Sequence, residues 1–188
     1  MKYCCQCGAS TLAQRVPRGD NRPRLVCDHC GFIHYQNPKV VAGCIPEWYG
    51  KVLLCRRAIE PRSGYWTIPA GYMENGESAG QAAVRETQEE ANAVVDGLTL
   101  YGLYNLVTIN QVYLIFRGQL RDASARAGDE SLAVELFAED HIPWGDLAFP
   151  VVADVLRRYY RERRQGQFAV QSADVLPADH QRPVFHYY

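Results

Sequence analysis

The sequence has no apolar run approaching the roughly 18 residues that a membrane-spanning helix needs, so no membrane role is expected. Its N-terminus, Met1-Lys2-Tyr3-Cys4-Cys5, lacks the apolar stretch of a secretory signal, and the expectation is a cytoplasmic protein with reduced thiols. Charge of one sign is also missing. Twenty Lys and Arg against 21 Asp and Glu leave a net −1, which argues against a function resting on global electrostatics, such as coating nucleic acid. There is no internal repeat and no low-complexity tract. What remains is 188 residues at 47% hydrophobic, enough for one ordinary soluble domain with trimmings, or one domain plus a small module.

Cysteine is the abundant exception. Five of the seven lie in the first 30 residues: Cys4, Cys5, Cys7, Cys27 and Cys30. The stretch between them, Gly8 to Val26, carries Gly, Pro, Arg and Asn with little apolar periodicity and cannot bury a core unaided. Cys4-x-x-Cys7 and Cys27-x-x-Cys30 are two CxxC pairs separated by 19 residues, the spacing of a four-thiolate zinc site. Gly8 and Gly31 follow the second Cys of each pair, where the backbone must turn sharply. Cys5 is too close to Cys7 to join the set, and His29 and His34 read as surface residues. Four thiolates close the coordination shell, so Zn²⁺ at Cys4, Cys7, Cys27 and Cys30 would be structural. Redox cysteines are the competing interpretation.

A different regime begins near Asn37-Pro38. Val40–Ile45 and Lys51–Cys55 read as buried strands joined by a Tyr49-Gly50 turn, and Leu98–Val107 and Val112–Phe116 as two more. Gln81 to Asp96 lacks Gly and Pro and reads as helix, with Ser78 and Gln81 forming a capping box at its start. Pro150 opens a second helix that stops at Gly166. The last 20 residues are weakly patterned.

The first helix carries the chemistry. Glu86, Glu89 and Glu90, at i, i+3 and i+4, share one face, and Arg85 sits four residues before Glu89. Ala82 and Ala83 are expected on the carboxylate face, leaving room for a ligand. Gly80, Val84, Thr87 and Ala91 are expected on the opposite face, packed on a sheet. Three like charges on one face cost stability, and a solvated acidic face is the plain alternative. Hard carboxylate oxygens favour Mg²⁺ or Mn²⁺, and such ions favour phosphorylated substrates.

The spacing Gly71, Glu77, Arg85-Glu86, Glu89-Glu90 resembles the Nudix box, with Thr87 where an aliphatic residue is usual and Asn92 in place of the final Gly. Asn tolerates the left-handed conformation a C-capping Gly would adopt. Together with the cysteine pairs and the junction Cys30 to Lys39, the chain is similar to Nudix hydrolases with an N-terminal zinc ribbon. The resemblance implies a zinc ribbon over 1–36, a Nudix domain over 37–166, and a C-terminal tail over 167–188. The implied fold is α/β: an α/β/α sandwich with a mixed sheet. The implied activity is hydrolysis of a nucleoside diphosphate linked to another moiety. Glu86 and Glu90 would be the main metal ligands, with Glu89 assisting and a backbone carbonyl near Ala70 or Gly71 completing the shell. Arg85 would hold Glu89, and Glu77 would support the loop or bind metal through water. Glu130 resembles the downstream general base most closely, with Glu135 and Asp129 as further candidates.

The nearest resemblance is to enzymes that hydrolyse FAD and ADP-ribose. NADH diphosphatases share the ribbon and the box, but their Ser-Gln-Pro-Trp-Pro-Phe-Pro tract is absent. The proline that often follows the box in ADP-ribose enzymes is absent too, since none occurs between Pro69 and Pro143. Arg56 and Arg57 are candidates for phosphate contact, and Tyr104, Tyr113 and Phe116 for base stacking. An RNA-cap hydrolase keeps the same carboxylates. A non-enzymatic ribbon module using the Arg-rich second helix would bind nucleic acid but would not need the three glutamates. A homodimer is implied by the family, with the ribbon or Phe185, His186, Tyr187 and Tyr188 as candidate contacts.

Overall fold

The computed structural model describes residues 1–177 and 183–188, and the chain divides into two units, Met1–Asn37 and Pro38–Tyr188. The first holds three short antiparallel strands, β1 (Leu12–Arg15), β2 (Arg24–Cys27) and β3 (Ile33–His34), in the order β1-β2-β3. Its buried apolar residues are Cys4, Val26 and Cys27, so the interior of this unit is made largely by its cysteines. Each CxxC pair closes the same way. The Gly8 N–H donates to Cys4 O and the Gly31 N–H to Cys27 O, both at 2.9 Å, with the glycines at φ 76° and 73°.

The second unit is a nine-stranded mixed sheet. Its strands are β4 (Lys39–Trp48), β5 (Lys51–Arg57), β6 (Trp66–Thr67), β7 (Ala70–Tyr72), β8 (Val95–Leu106), β9 (Gln111–Leu120), β10 (Ser131–Phe137), β11 (Gln171–Leu176) and β12 (Val184–Tyr187). The main order is β10-β5-β4-β9-β8-β11-β12, with β6 on β5 and β7 on β4. β4 with β9 and β8 with β11 are parallel, and the other pairings antiparallel. Helices α1 (Ala79–Ala91) and α2 (Pro150–Gln165) pack with different faces of the strands. Successive strand residues point to opposite faces, so Cys44 and Leu53 join the α1 layer while Ile45 and Leu54 join the α2 layer. Cys44 and Cys55 are buried thiols of the α1 layer. This is the expected α/β/α sandwich.

Three expectations need correction. The helix read as Gln81 to Asp96 ends at Ala91, because Asn92 adopts the left-handed conformation at φ 47° and ψ 35° and Val95 already begins β8. Ala82 and Ala83 do not open a ligand path; they are fully buried against Ala42, Cys44, Leu53 and Cys55. The buried stripe is Ala82, Ala83, Thr87, Glu90 and Ala91, whose small side chains let the helix approach the sheet. The hydroxyl of Thr87 donates to Ala83 O at 2.7 Å, so its burial leaves no donor unmet. The segment set apart as a tail, 167–188, contributes β11 and β12 to the sheet, with residues 178–182 outside the described set. Phe168 anchors it, 3.3 Å from the Arg117 guanidinium and stacked on Tyr159 at 5.9 Å.

Helix α2 is tied to the sheet by polar as well as apolar contacts. Tyr159 donates to Glu47 Oε2 at 2.9 Å, and Arg158 donates to Tyr101 O at 2.7 Å. Arg117 Nε lies 3.2 Å from Glu47 Oε1 without hydrogen-bond alignment, so Tyr159 is the better-formed partner of this buried carboxylate. Tyr159→Phe is therefore expected to lower unfolding free energy by about 1–3 kcal/mol, the cost of leaving a buried acceptor unmet. Urea unfolding measures it; a stability equal to that of the parent would refute the assignment.

Candidate active site and metal centres

The site begins at the N-terminus of α1. Ser78 accepts from the Gln81 N–H, and the Gln81 side chain accepts from the Ser78 N–H at 2.7 Å, so the expected capping box is formed. About two turns in, Arg85 reaches five acceptor atoms. Its guanidinium donates to both Glu77 oxygens (2.7 and 3.0 Å), to Glu86 Oε1 (2.7 Å), to Glu89 Oε2 (2.9 Å) and to Tyr72 O of β7 (3.0 Å). The planar fork suits this, since its donors diverge in one plane. Glu77 also accepts from the Glu74 N–H at 2.6 Å, and the Arg85 charge holds its carboxyl below the usual range. Glu77 thus fastens the loop ahead of α1. Gly71 of β7 leaves the space that the Glu86 carboxylate fills; a Cβ there would overlap it.

A cleft of about 1240 Å³ opens beside this face. Glu86, Glu89, Glu90, Asp129 and Glu130 line it, with Gly71, Arg57, Tyr113 and Tyr72. Register brings the tyrosines in: Val41 of β4 pairs with Tyr72 on one side and Tyr113 on the other. Gln111 donates to the Tyr72 hydroxyl at 3.0 Å, and the Lys39 ammonium lies 4.6 Å from the Tyr72 ring centroid. Tyr72, Gln111 and Lys39 carry no motif signal, because sheet register rather than sequence spacing assembles them. Of the two arginines proposed for phosphate contact, Arg57 lines the cleft, 5.3 Å from the Phe149 ring centroid. Arg56 is an exposed neighbour of alternate orientation whose Nε donates to Gly64 O at 2.8 Å, away from the lining. Among the base candidates, Tyr104 is core, donating to Asp154 at 2.9 Å, and Phe116 packs in the α1 layer. Glu135 is exposed on β10 and does not line the cleft.

The electrostatics separate the glutamates. Glu89 is open to solvent, with its side chain 58% exposed. Glu90 is only 7% exposed, and burial, followed by the Glu86 charge and that of Glu130, pushes its carboxyl up to about 8. The Arg57 charge and the Ala70 backbone act the other way without overcoming this. Burial also raises Glu86, against Arg85 and reinforced by Glu89 and Glu130. A carboxyl with a raised folded pKa holds its proton more tightly folded than unfolded, so ionising it at neutral pH costs stability. A divalent cation offsets that cost, and the all-oxygen donor set of Glu86, Glu90 and Glu89 fits a hard ion.

The four cysteines of the first unit form a second centre. The sulfurs of Cys4, Cys7, Cys27 and Cys30 all lie within 4.8 Å of one another, with Cys4–Cys30 and Cys7–Cys27 at 3.7 Å. Zinc–thiolate bonds of about 2.3 Å in a tetrahedron require sulfur–sulfur edges of about 3.8 Å, so the donor set fits zinc. The Cys30 N–H, opposed by burial and helped by the His29 N–H, pulls the Cys27 thiol down to about 6. Cys5 stands outside the cluster, 3.6 Å from His34 Nδ1.

A family model described as NUDIX domain matches residues 37–161, and one described as Nudix N-terminal matches residues 2–36. A solved NUDIX hydrolase from Nitrosomonas europaea is similar at a TM-score of 0.87 and 53% identity, covering 93% of this chain and 99% of that one. An ADP-ribose pyrophosphatase of Methanocaldococcus jannaschii is 29% identical over 135 residues, 65% of this chain and 76% of that protein. The NAD-capped RNA hydrolase NudC of Vibrio vulnificus is 25% identical over 146 residues, which span 76% of this chain but only 53% of that protein.

The Arg85 geometry has a direct consequence for stability. Arg85→Lys keeps one positive charge but cannot reach three carboxylates and a carbonyl at once, so a loss of about 1–2 kcal/mol is expected in urea unfolding. Parent-like stability in the Lys variant would show that point charge alone suffices.

Proposed function

The chain belongs to the Nudix hydrolase family, which acts on nucleoside diphosphate derivatives, and on that premise we propose that it cleaves the pyrophosphate of ADP-ribose or FAD. The products are AMP with ribose 5-phosphate or FMN. The observation that carries this reading is the meeting of Glu86, Glu90 and Glu130 on one cleft large enough for a dinucleotide-sized molecule, with Arg57 in the same lining.

Glu86 and Glu90, assisted by Glu89 and a carbonyl near Ala70 or Gly71, would hold Mg²⁺ or Mn²⁺. When bound, these cations neutralise phosphate charge and acidify the attacking water. Glu130 takes the water's proton while the water oxygen bonds to phosphorus, and the bridging P–O bond breaks with the bridging oxygen leaving on the other phosphate. Asp129, beside it in the same lining, is the second candidate for that proton. Arg57 faces the remaining phosphate charge, Tyr113 and Tyr72 offer ring faces to the base or flavin, and Arg85 keeps the carboxylates in register. Cys4, Cys7, Cys27 and Cys30 would hold a structural Zn²⁺.

Purified protein is to be incubated with Mg²⁺ or Mn²⁺ and a panel of ADP-ribose, FAD, NADH and NAD-capped RNA, with products separated by chromatography. AMP is expected from ADP-ribose or FAD. Preferred cleavage of NADH or capped RNA would replace the substrate reading, and no turnover of any member would end the hydrolase reading. Glu90→Gln is expected to lower kcat on the order of 10³-fold with the fold retained; an undiminished rate would remove Glu90 from the metal set. Zinc chelation is expected to increase amide exchange throughout residues 1–37, and protection that survives complete zinc loss would defeat the structural role.

A further inference from the structure

The loop that delivers Glu130 is fastened to the C-terminal end of α1. The Gly128 N–H donates to Glu90 O at 3.0 Å and the Arg126 N–H to Ala91 O at 2.9 Å, so two carbonyls that a helix end leaves open are met by this loop. The approach is backbone against backbone. A Cβ on Gly128 would overlap the Glu89 carbonyl, so only glycine fits there. On the far side of Glu130, its own carbonyl accepts from the Ala58 N–H at 2.8 Å, and the Ser131 N–H donates to Gly128 O at 3.0 Å.

Asn92 adds what the backbone cannot. Its left-handed conformation ends the helix, with its N–H donating to Gln88 O at 2.9 Å. That conformation turns the side-chain amide toward the loop, where Nδ2 donates to Arg126 O and Ala127 O, each at 3.2 Å. Glycine at this position would cap the helix equally well but would have no amide to give. The two added hydrogen bonds span 34 and 35 residues of sequence and end three to four residues before Glu130.

We infer that Asn92 is a positioning residue for Glu130: its carboxamide clamps residues 126–127 to the end of the glutamate helix and so sets where the Glu130 carboxylate stands relative to Glu86 and Glu90. The inference rests on the reading of Glu130 as the proton acceptor. It does not depend on which substrate fills the cleft.

The test uses full-length protein with ADP-ribose and Mn²⁺, or whichever panel member turns over. Asn92→Gly keeps the left-handed cap and removes only the clamp. A roughly tenfold fall in kcat is expected with KM unchanged and the helix retained, since misplacement of a reacting group by a fraction of an ångström to an ångström costs 10- to 100-fold. Amide exchange at Arg126 and Gly128 should rise in the same variant. Asn92→Asp, which turns a carboxylate oxygen toward two carbonyls, should fall at least as far. Glu130→Gln alone should cost about 10²–10⁴-fold. Against that residual rate, adding Asn92→Gly should cost nothing further, because the group it positions is already gone.

Unchanged kcat in Asn92→Gly, with Glu130→Gln impaired, overturns the positioning role and leaves the base assignment standing. An equal loss from Asn92→Gly in both backgrounds also overturns it, since the residue would then act through something other than Glu130. Full activity of Glu130→Gln overturns the base assignment itself, and the inference with it. If Glu130→Gln shows no measurable rate, the kcat and amide-exchange results of Asn92→Gly decide alone.

Discussion

Four carboxylates crowd one side of the glutamate helix and its preceding loop, and one guanidinium keeps three of them from driving that region apart. Arg85 bonds Glu77, Glu86 and Glu89 together with Tyr72 O, so a single side chain joins the loop ahead of α1, the helix and strand β7. The fourth carboxylate, Glu90, lies deeper and has no share in that charge. Its raised pKa follows from this arrangement: burial removes water, Glu86 and Glu130 add like charge, and Arg85 is spent elsewhere. The least compensated charge therefore sits at one point of the cleft, where the Arg57 charge and the Ala70 backbone do not overcome burial. A divalent ion suits that point because the neighbouring acids share Arg85 and this one does not.

How deep Glu90 lies is decided by its neighbours on the buried stripe of the helix. Ala82, Ala83, Thr87 and Ala91 are small, and they let α1 settle onto Ala42, Cys44, Leu53 and Cys55. Nearby, a Cβ on Gly43 would come within 2.6 Å of the Ala70 Cβ, so β7 can lie against β4 only because Gly43 is bare. That pairing carries Gly71 under the Glu86 carboxylate. Bulkier residues at these places would lift the helix and return Glu90 to water, where it would titrate as an ordinary glutamate. The packing and the electrostatics of the site are thus one constraint, set along one stripe of the helix.

Much of this was legible without coordinates, and the reason is local geometry. The capping box, the Asn92 cap, the glutamate face, the cysteine pairs and the Pro150–Gly166 helix all depend on residues a few positions apart, which regular spacing reveals. What escaped depends on register between distant strands. Tyr72, Gln111 and Lys39 meet because β4 pairs with β7 on one side and β9 on the other. Strands β11 and β12 are short and partly polar, and they join the sheet through the pairing of β11 with β8 and by packing Ala173, Val175 and Phe185 on its core, contacts that no local periodicity announces. The room for a ligand expected at Ala82 and Ala83 failed for a related reason. A wheel gives the angle between residues, but packing decides which arc is buried, and here the arc that holds the two alanines also takes Glu90 inward.

The division between local and register-built parts matches a division of labour in the site. The charged apparatus comes from one helix and the loop fastened to its end, held by hydrogen bonds internal to that assembly. The surfaces that would meet the rest of a substrate come from elsewhere: Arg57 from β5, Tyr72 from β7, Tyr113 from β9, and Val175 from β11. Replacing any of these strand residues leaves every Arg85 bond to the three glutamates in place. On the proposed reading, hydrolytic chemistry and choice of substrate are separable in this fold. Residues of the helix would open the pyrophosphate, and the strand residues would select what is attached to it. The motif is read from the helix, so it identifies the reaction sooner than the molecule that undergoes it.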